Sequence, residues 1–135
     1  KKHLKVLVLA PTRELAQQIS GVFTVFSEKL PVKVKNLAVY GGVKLNQQMV
    51  LLKDTEILVA TPGRLLDLVS TKSVNLGKVE MLVLDEADKM LDLGFKDELA
   101  NILKLLPAKR QNILFSATLE AKTLDLQQLV LDDPL

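Results

Sequence analysis

The chain has 135 residues, 48% of them hydrophobic and 4% aromatic, with a formal net charge of +2 and no cysteine. That length suits one domain, since a chain near this size buries roughly 68–70% of its unfolded surface, and the composition excludes disordered and collagen-like classes. Apolar runs of only a handful of residues exclude a membrane span or secretory h-region, missing cysteines exclude disulfides and thiolate metal sites, and the small charge does not by itself announce a nucleic-acid binder.

An intracellular protein, cytoplasmic or nuclear, is therefore expected. The sequence opens on Lys1 and runs straight into a strand-like segment, so it reads as a piece of something longer. "KVLVLA" (Lys5 to Ala10) is nearly continuous in apolar residues, the pattern of a strand covered on both faces. In "APTRELA", Thr12 suits a helix N-cap with Arg13 directly after it, and "LAQQISGVFTVFSEKL" continues with helical periodicity. "VKVKNLAVY" (Val32 to Tyr40) alternates at first, with Lys33 and Lys35 against Val32 and Val34, which fits an exposed sheet edge. Gly41 and Gly42 follow. "EILVAT" (Glu56 to Thr61) is the next covered strand, and "ATPGRLLDLV" opens a helix with Thr61 at the N-cap, Pro62 at N1, Gly63 permitting close approach and Arg64 in the first turn. "EMLVLD" (Glu80 to Asp85) ends in Asp85, Glu86, Ala87 and Asp88. "FKDELANILKLL" sets Phe95, Leu99, Ile102, Leu103 and Leu106 on one helical stripe, "NILFSAT" (Asn112 to Thr118) is a last strand, and "LEAKTLDLQQLVL" is again helical in period. Strands alternating with helices predict an α/β fold: a doubly wound, mainly parallel open sheet of about five strands with helices on both faces.

Every predicted strand ends in a polar cluster, and ligands of open α/β sheets bind outside the carboxyl ends of strands, so the five clusters describe one functional edge. Arg13 and Arg64 each place a cation at the positive end of a helix, an unfavourable arrangement by a few tenths to about 1 kcal/mol. A phosphate would relieve it; bending to solvent or pairing with a carboxylate such as Glu14 is the simpler alternative. Asp85 and Glu86 at the end of an apolar strand match the pattern in which the Asp holds Mg²⁺ through water and the Glu orients the attacking water at a γ-phosphate. On spacing alone, Asp85 capping a short helix is an equal alternative. His3 has no motif role and is expected at an exposed strand start.

Taken in order and interval, "PTRELAQQ", the glycine pair with Gln48 beyond it, "TPGRLLDL", "DEADKMLDLGF" and "SATL" resemble the first RecA-like domain of a DEAD-box RNA helicase, across nearly the whole chain. The resemblance implies a RecA-like sheet, ATP and Mg²⁺ as cofactors of the intact protein, RNA as partner (single-stranded or a duplex being unwound), and a second RecA-like domain. It further implies that Asp85 handles Mg²⁺ through water, Glu86 is the general base, and Asp88 pairs with Ser116 and Thr118 to couple hydrolysis to RNA. By the same resemblance Pro11, Thr12, Arg13, Gly41, Gly42, Gln48, Thr61, Pro62, Gly63 and Arg64 track the RNA sugar-phosphate backbone. One departure is large: no GxxxxGK[ST] phosphate loop occurs among the 135 residues. Residues 1–135 are thus expected to be a partial first RecA-like domain, without the N-terminal glutamine motif and phosphate loop. Alone it should neither bind ATP and Mg²⁺ tightly nor hydrolyse ATP, and should tend to self-associate through the Gln111 to Thr118 strand. The alternative is a non-catalytic doubly wound binding or regulatory domain with an acidic Mg²⁺ site.

Overall fold

A computed structural model describes residues 2–117. Five strands, β1 (Val6–Leu9), β2 (Asn36–Val39), β3 (Ile57–Ala60), β4 (Met81–Leu84) and β5 (Gln111–Leu114), form one all-parallel sheet in the order β2-β3-β1-β4-β5. Between them run α1 (Arg13–Glu28), α2 (Leu45–Leu51), α3 (Pro62–Ser70), α4 (Ala87–Asp92) and α5 (Lys96–Leu105). The step from β1 to β2 moves one way along the sheet; those from β2 to β3, β3 to β4 and β4 to β5 move the other way. Right-handed crossovers then put α1 on one face and the remaining helices on the opposite one.

The core divides accordingly. Leu7, Leu9, Leu58, Ala60, Leu82 and Leu84 pack with Leu65, Leu68, Met90, Leu99 and Ile102 from the helices of one face, while Val8 and Val59 pack with Ala16 and the half-buried Leu15, Ile19 and Phe23 of α1 on the other. Alternate residues of each strand therefore serve opposite clusters, which is why β1 and β3 read as continuous apolar runs. Each such leucine contributes about 1.5–3 kcal/mol on burial. The stripe expected on α5 is present: Leu99, Ile102, Leu103 and Leu106 are buried and Phe95 packs against them. On α1, by contrast, Val22, Val25 and Phe26 are exposed.

Pairing is flush. Val39 stands opposite Ala60, Ala60 opposite Leu9, Leu9 opposite Leu84, and Leu84 opposite Leu114. The ladder continues one rung further, with the N–H groups of Thr61, Ala10, Asp85 and Phe115 donating to the carbonyls of Val39, Ala60, Leu9 and Leu84 at 2.9–3.2 Å. At the opposite end the Glu56 carboxylate, in a nearly buried side chain, meets Lys5 Nζ at 3.2 Å and Lys2 Nζ at 3.5 Å.

Two boundaries differ from the sequence expectation. The alternating Val32–Lys35 stretch precedes the sheet as a loop, with Val32 exposed; β2 begins at Asn36, although it does occupy a sheet edge. His3 likewise precedes β1, its Nε2 lying 3.4 Å from Glu80 Oε2. Thr118 and the helical-period segment after it lie outside the described residues.

Candidate functional site

Because the strands end on one rung, the clusters that follow them emerge side by side. Across the sheet they stand in the order Gly41-Gly42, Thr61-Arg64, Pro11-Arg13, Asp85-Asp88, Ser116. Chain order differs, since "PTREL" comes first in sequence but third in space. With neighbouring strands about 4.8 Å apart, the glycine and arginine clusters share three adjacent strands spanning about 10 Å, and the carboxylate and serine clusters share the next two.

At β1, the Thr12 hydroxyl accepts from the Leu15 N–H at 3.2 Å, the N-cap bond expected of it, and α1 starts at Arg13. Arg13 is exposed, and no ion pair joins it to Glu14 among the described residues. Its guanidinium lies 4.8 Å from the centroid of the Tyr40 ring, and Tyr40 Oη in turn accepts from Gln17 Nε2 at 2.9 Å. This cation–π contact leaves the planar N–H edge of an arginine available for hydrogen bonding. Tyr40 was not singled out in the sequence, yet a signal was there: the chain's one tyrosine stands immediately before the glycine pair. Exposed Lys44 stands just beyond that pair.

At β2, Gly42 has φ +84°, where L side chains are strained, and an added Cβ would lie 3.5 Å from Arg13 Nη1. Gly41 and Gly63 have open space where a Cβ would stand and no such φ. At β3, Thr61 is the N-cap of α3 and Pro62 its first residue, though the Thr61 side chain makes no cap bond.

Arg64 differs from Arg13. Its side chain is only 12% exposed, and Nη1 donates to the Val43 carbonyl and to Gln48 Oε1, both at 2.8 Å. Gln48 is itself buried. The Arg64 Nε lies 3.7 Å from Asp67 Oδ2, an ion pair without a hydrogen bond. The expected tension between a first-turn cation and the helix dipole is thus met internally, by a carbonyl, an amide oxygen and a carboxylate.

At β4, Asp85 does not cap the short helix. Glu86 holds the N-cap position of α4 in the left-handed region, φ 52° and ψ 50°, and its own side chain makes no cap bond. A non-glycine residue held there costs of order 1–3 kcal/mol, and such strain gathers at functional sites. The position is held from both sides: the Ala87 N–H donates to the Phe115 carbonyl at 3.0 Å, tying the acidic turn to the end of β5, and the Met90 N–H donates to Glu86 O at 3.1 Å. Asp85, Glu86, Asp88 and Ser116 are all half-buried beside one another's strands.

Among the described residues no three His, Cys, Asp or Glu side chains gather to hold a metal ion. Asp85 could contribute through water only if other oxygens completed the shell, and the sequence has no glycine-lysine loop to cradle phosphates. No helix among the described residues is long and apolar enough to cross a membrane.

An open parallel sheet with helices on both faces and a polar carboxyl edge is a doubly wound α/β domain, and its match to a solved DEAD-box protein puts it in the RecA-like class. Against a crystal structure of the yeast DEAD-box splicing factor Prp28 the chain superposes with a TM-score of 0.84 at 37% identity, covering 97% of this chain and 30% of that one. The DEAD/DEAH box helicase family model matches residues 1–126, and the chain belongs to that family. It is 47% identical over 132 residues to the chloroplastic DEAD-box ATP-dependent RNA helicase 3A of Zea mays, and 43% identical over 136 residues to the ATP-dependent RNA helicase DBP3 of Saccharomyces cerevisiae. It covers 97% and 100% of itself in these matches but spans 17% and 26% of those relatives. This membership favours a helicase domain over the alternative of a non-catalytic doubly wound binding or regulatory domain with an acidic Mg²⁺ site.

Proposed function

We propose that this chain is the RNA-facing part of the first RecA-like domain of an intracellular ATP-dependent RNA helicase, and that it also carries the acidic turn serving ATP hydrolysis in the intact protein. The observation that supports this reading most is the spatial order of the clusters along the flush edge. Three adjacent strands deliver Gly41, Gly42, Thr61, Pro62, Gly63, Pro11, Thr12 and Arg13 to one stretch, with Gln48 and Arg64 directly behind it. Helix N-termini, small residues and an exposed arginine suit a sugar-phosphate backbone and carry no base-reading side chains, so binding is indifferent to sequence. The neighbouring two strands deliver Asp85, Glu86, Asp88 and Ser116, with Thr118 two residues further on.

In the intact protein, ATP with Mg²⁺ supplies the phosphoryl group and the charge-neutralising cation. Asp85 would accept hydrogen bonds from the metal's water shell, and Glu86, fixed in its left-handed turn, would orient a water. Asp88, paired with Ser116 and Thr118, would couple hydrolysis to RNA. Without a phosphate loop, the positioning that dominates phosphoryl transfer is missing from this chain, so it should bind RNA weakly and not turn over ATP.

Phosphate release with and without RNA, for the chain and for Glu86→Gln, tests the second half. RNA-stimulated release abolished by that substitution would refute it. Titration of single-stranded RNA at several salt concentrations tests the first, where Arg13→Ala should reduce the slope of log K against log salt by about 0.7. Binding that ignores salt, or that collapses only for particular bases, would refute backbone tracking.

A further inference from the structure

We infer that Arg64 and Gln48 act as a buried latch that sets the position of the glycine loop, and not as ligands of a phosphate. The inference rests on the RNA-facing reading above and assigns a positioning role to two of its residues.

Both hydrogens of Arg64 Nη1 are directed inward, to Val43 O and Gln48 Oε1, each at 2.8 Å. The three partners sit on three separate pieces of chain: Val43 in the loop after Gly42, Gln48 on α2, and Arg64 on α3 beyond β3. One guanidinium group therefore joins the end of β2 to the start of the helix after β3. Turning Nη1 outward to a phosphate would strip the partner from a glutamine that is only 4% exposed. It would also separate the cation from the groups that compensate its own burial, and unpaired buried polar groups cost about 1–3 kcal/mol, more when charged. Asp67, 3.7 Å from Nε, further offsets the Arg64 charge.

The loop this latch holds has reason to need it. Gly42 sits at φ +84° and makes no side-chain contact of its own, so its place relative to Gly63 depends on what grips Val43. Arg13 has the complementary properties of a ligand-facing group: it is exposed, it is braced by the Tyr40 ring, and it stands next to Gly42. The two arginines look equivalent in sequence, each one or a few residues past a capping threonine, but their surroundings give them different tasks.

The test compares the chain with Arg13→Ala, Arg64→Met, Gln48→Ala and the Arg64→Met/Gln48→Ala double variant. One measurement is amide exchange at Gln47, whose N–H closes the loop by donating to the Lys44 carbonyl at 3.2 Å, without RNA; the other is binding of a short fluorescent oligouridine across a salt series. A latch predicts loop exchange about ten-fold faster in Arg64→Met and in Gln48→Ala, as expected for one lost charge-assisted bond. The double variant should be no faster than either single one, because the two act as a unit. Arg64→Met should then weaken RNA binding at every salt concentration without changing the salt slope, while Arg13→Ala lowers the slope by about 0.7. Loop exchange unchanged in Arg64→Met and Gln48→Ala overturns the latch whether or not RNA binds. So does a slope reduced by about 0.7 in Arg64→Met, which would make Arg64 a phosphate ligand. Failure of the wild-type chain to bind RNA refutes the RNA-facing reading instead, and the exchange arm still decides the latch. Should Arg64→Met not fold, Gln48→Ala, which keeps the cation, carries both measurements.

Discussion

Substituting alanine for Gly63 separates what the fold requires at the start of α3 from what a ligand requires. Gly63 is the second residue of the helix and is exposed; its φ is not in the left-handed region, and a Cβ built there meets nothing within 4 Å. Nothing within the chain asks for glycine. In a helix glycine is less favourable than alanine by roughly 0.5–1 kcal/mol, so Gly63→Ala should stabilise the protein by about that amount and raise the melting temperature by about 2–4 °C. If a sugar-phosphate backbone passes close to this turn, the added methyl stands in its path. Losing one charge-assisted bond, about 1.5–3 kcal/mol, should weaken single-stranded RNA binding by at least about ten-fold. Thermal unfolding and RNA titration on the same preparation read both effects. Wild-type affinity in a stabilised variant would mean that no ligand approaches Gly63, and a lowered melting temperature would mean that the steric reading of the turn is wrong. Gly42→Ala is the contrast: at φ +84° it should cost about 1–2 kcal/mol with no ligand present.

Three further outcomes are expected. Burial pushes the Glu56 carboxyl up, but hydrogen bonding and charge from Lys5 and Lys2 more than reverse this and leave it below its ordinary value of 4.5. A depressed carboxyl stabilises the fold above its unfolded pKa and loses that contribution as pH falls through the folded value. Glu56→Gln should therefore be less stable than wild type at neutral pH, the gap closing as pH drops below about 4.5; urea midpoints showing a constant gap would contradict this. Glu86→Gly removes a left-handed strain of about 1–2 kcal/mol against glycine's entropic cost of roughly 0.5–1 kcal/mol, so a net gain of up to about 1.5 kcal/mol should appear in the urea midpoint, and a loss would show that the turn is not strained. Among the described residues β5 has no strand on its outer side, and Ile113, half-buried, faces away from the cluster that holds Leu114. Self-association through this edge should appear in sedimentation across a concentration series and diminish in Ile113→Lys; a monomer at high concentration would refute it.

Much of this was legible because local chemistry and global fold agree. The α5 stripe from Phe95 to Leu106 is written in helical period, and the unbroken apolar runs of β1 and β3 announce strands covered on both sides. Thr12 and Pro62 mark helix starts by chemistry that does not depend on the rest of the molecule. Strand order was not legible, since nothing in "KVLVLA" says that the first strand lies at the centre of the sheet. The alternation of Val32 to Lys35 misled because two β-branched residues between lysines look the same in an extended loop as in a strand. The direction of Arg64 could not be read either. It depends on β2 and β3 being neighbours, which brings Val43 and Gln48 within reach of a side chain 16 residues beyond Gln48.

The flush strand ends have one more consequence. Side chains in a strand alternate between faces, so a slip of one residue in any strand would both carry its cluster about 3.3 Å off the common edge and turn its inward leucines to the wrong side. For β3, such a slip would exchange Leu58 and Ala60 with Ile57 and Val59, breaking up both clusters at once. Misalignment of the edge is thus never a quiet error. A strand slip that would blur the line of Gly42, Thr61, Thr12, Asp85 and Ser116 must first disrupt the interior beneath it, so the core acts as a gauge for the spacing of the strand ends.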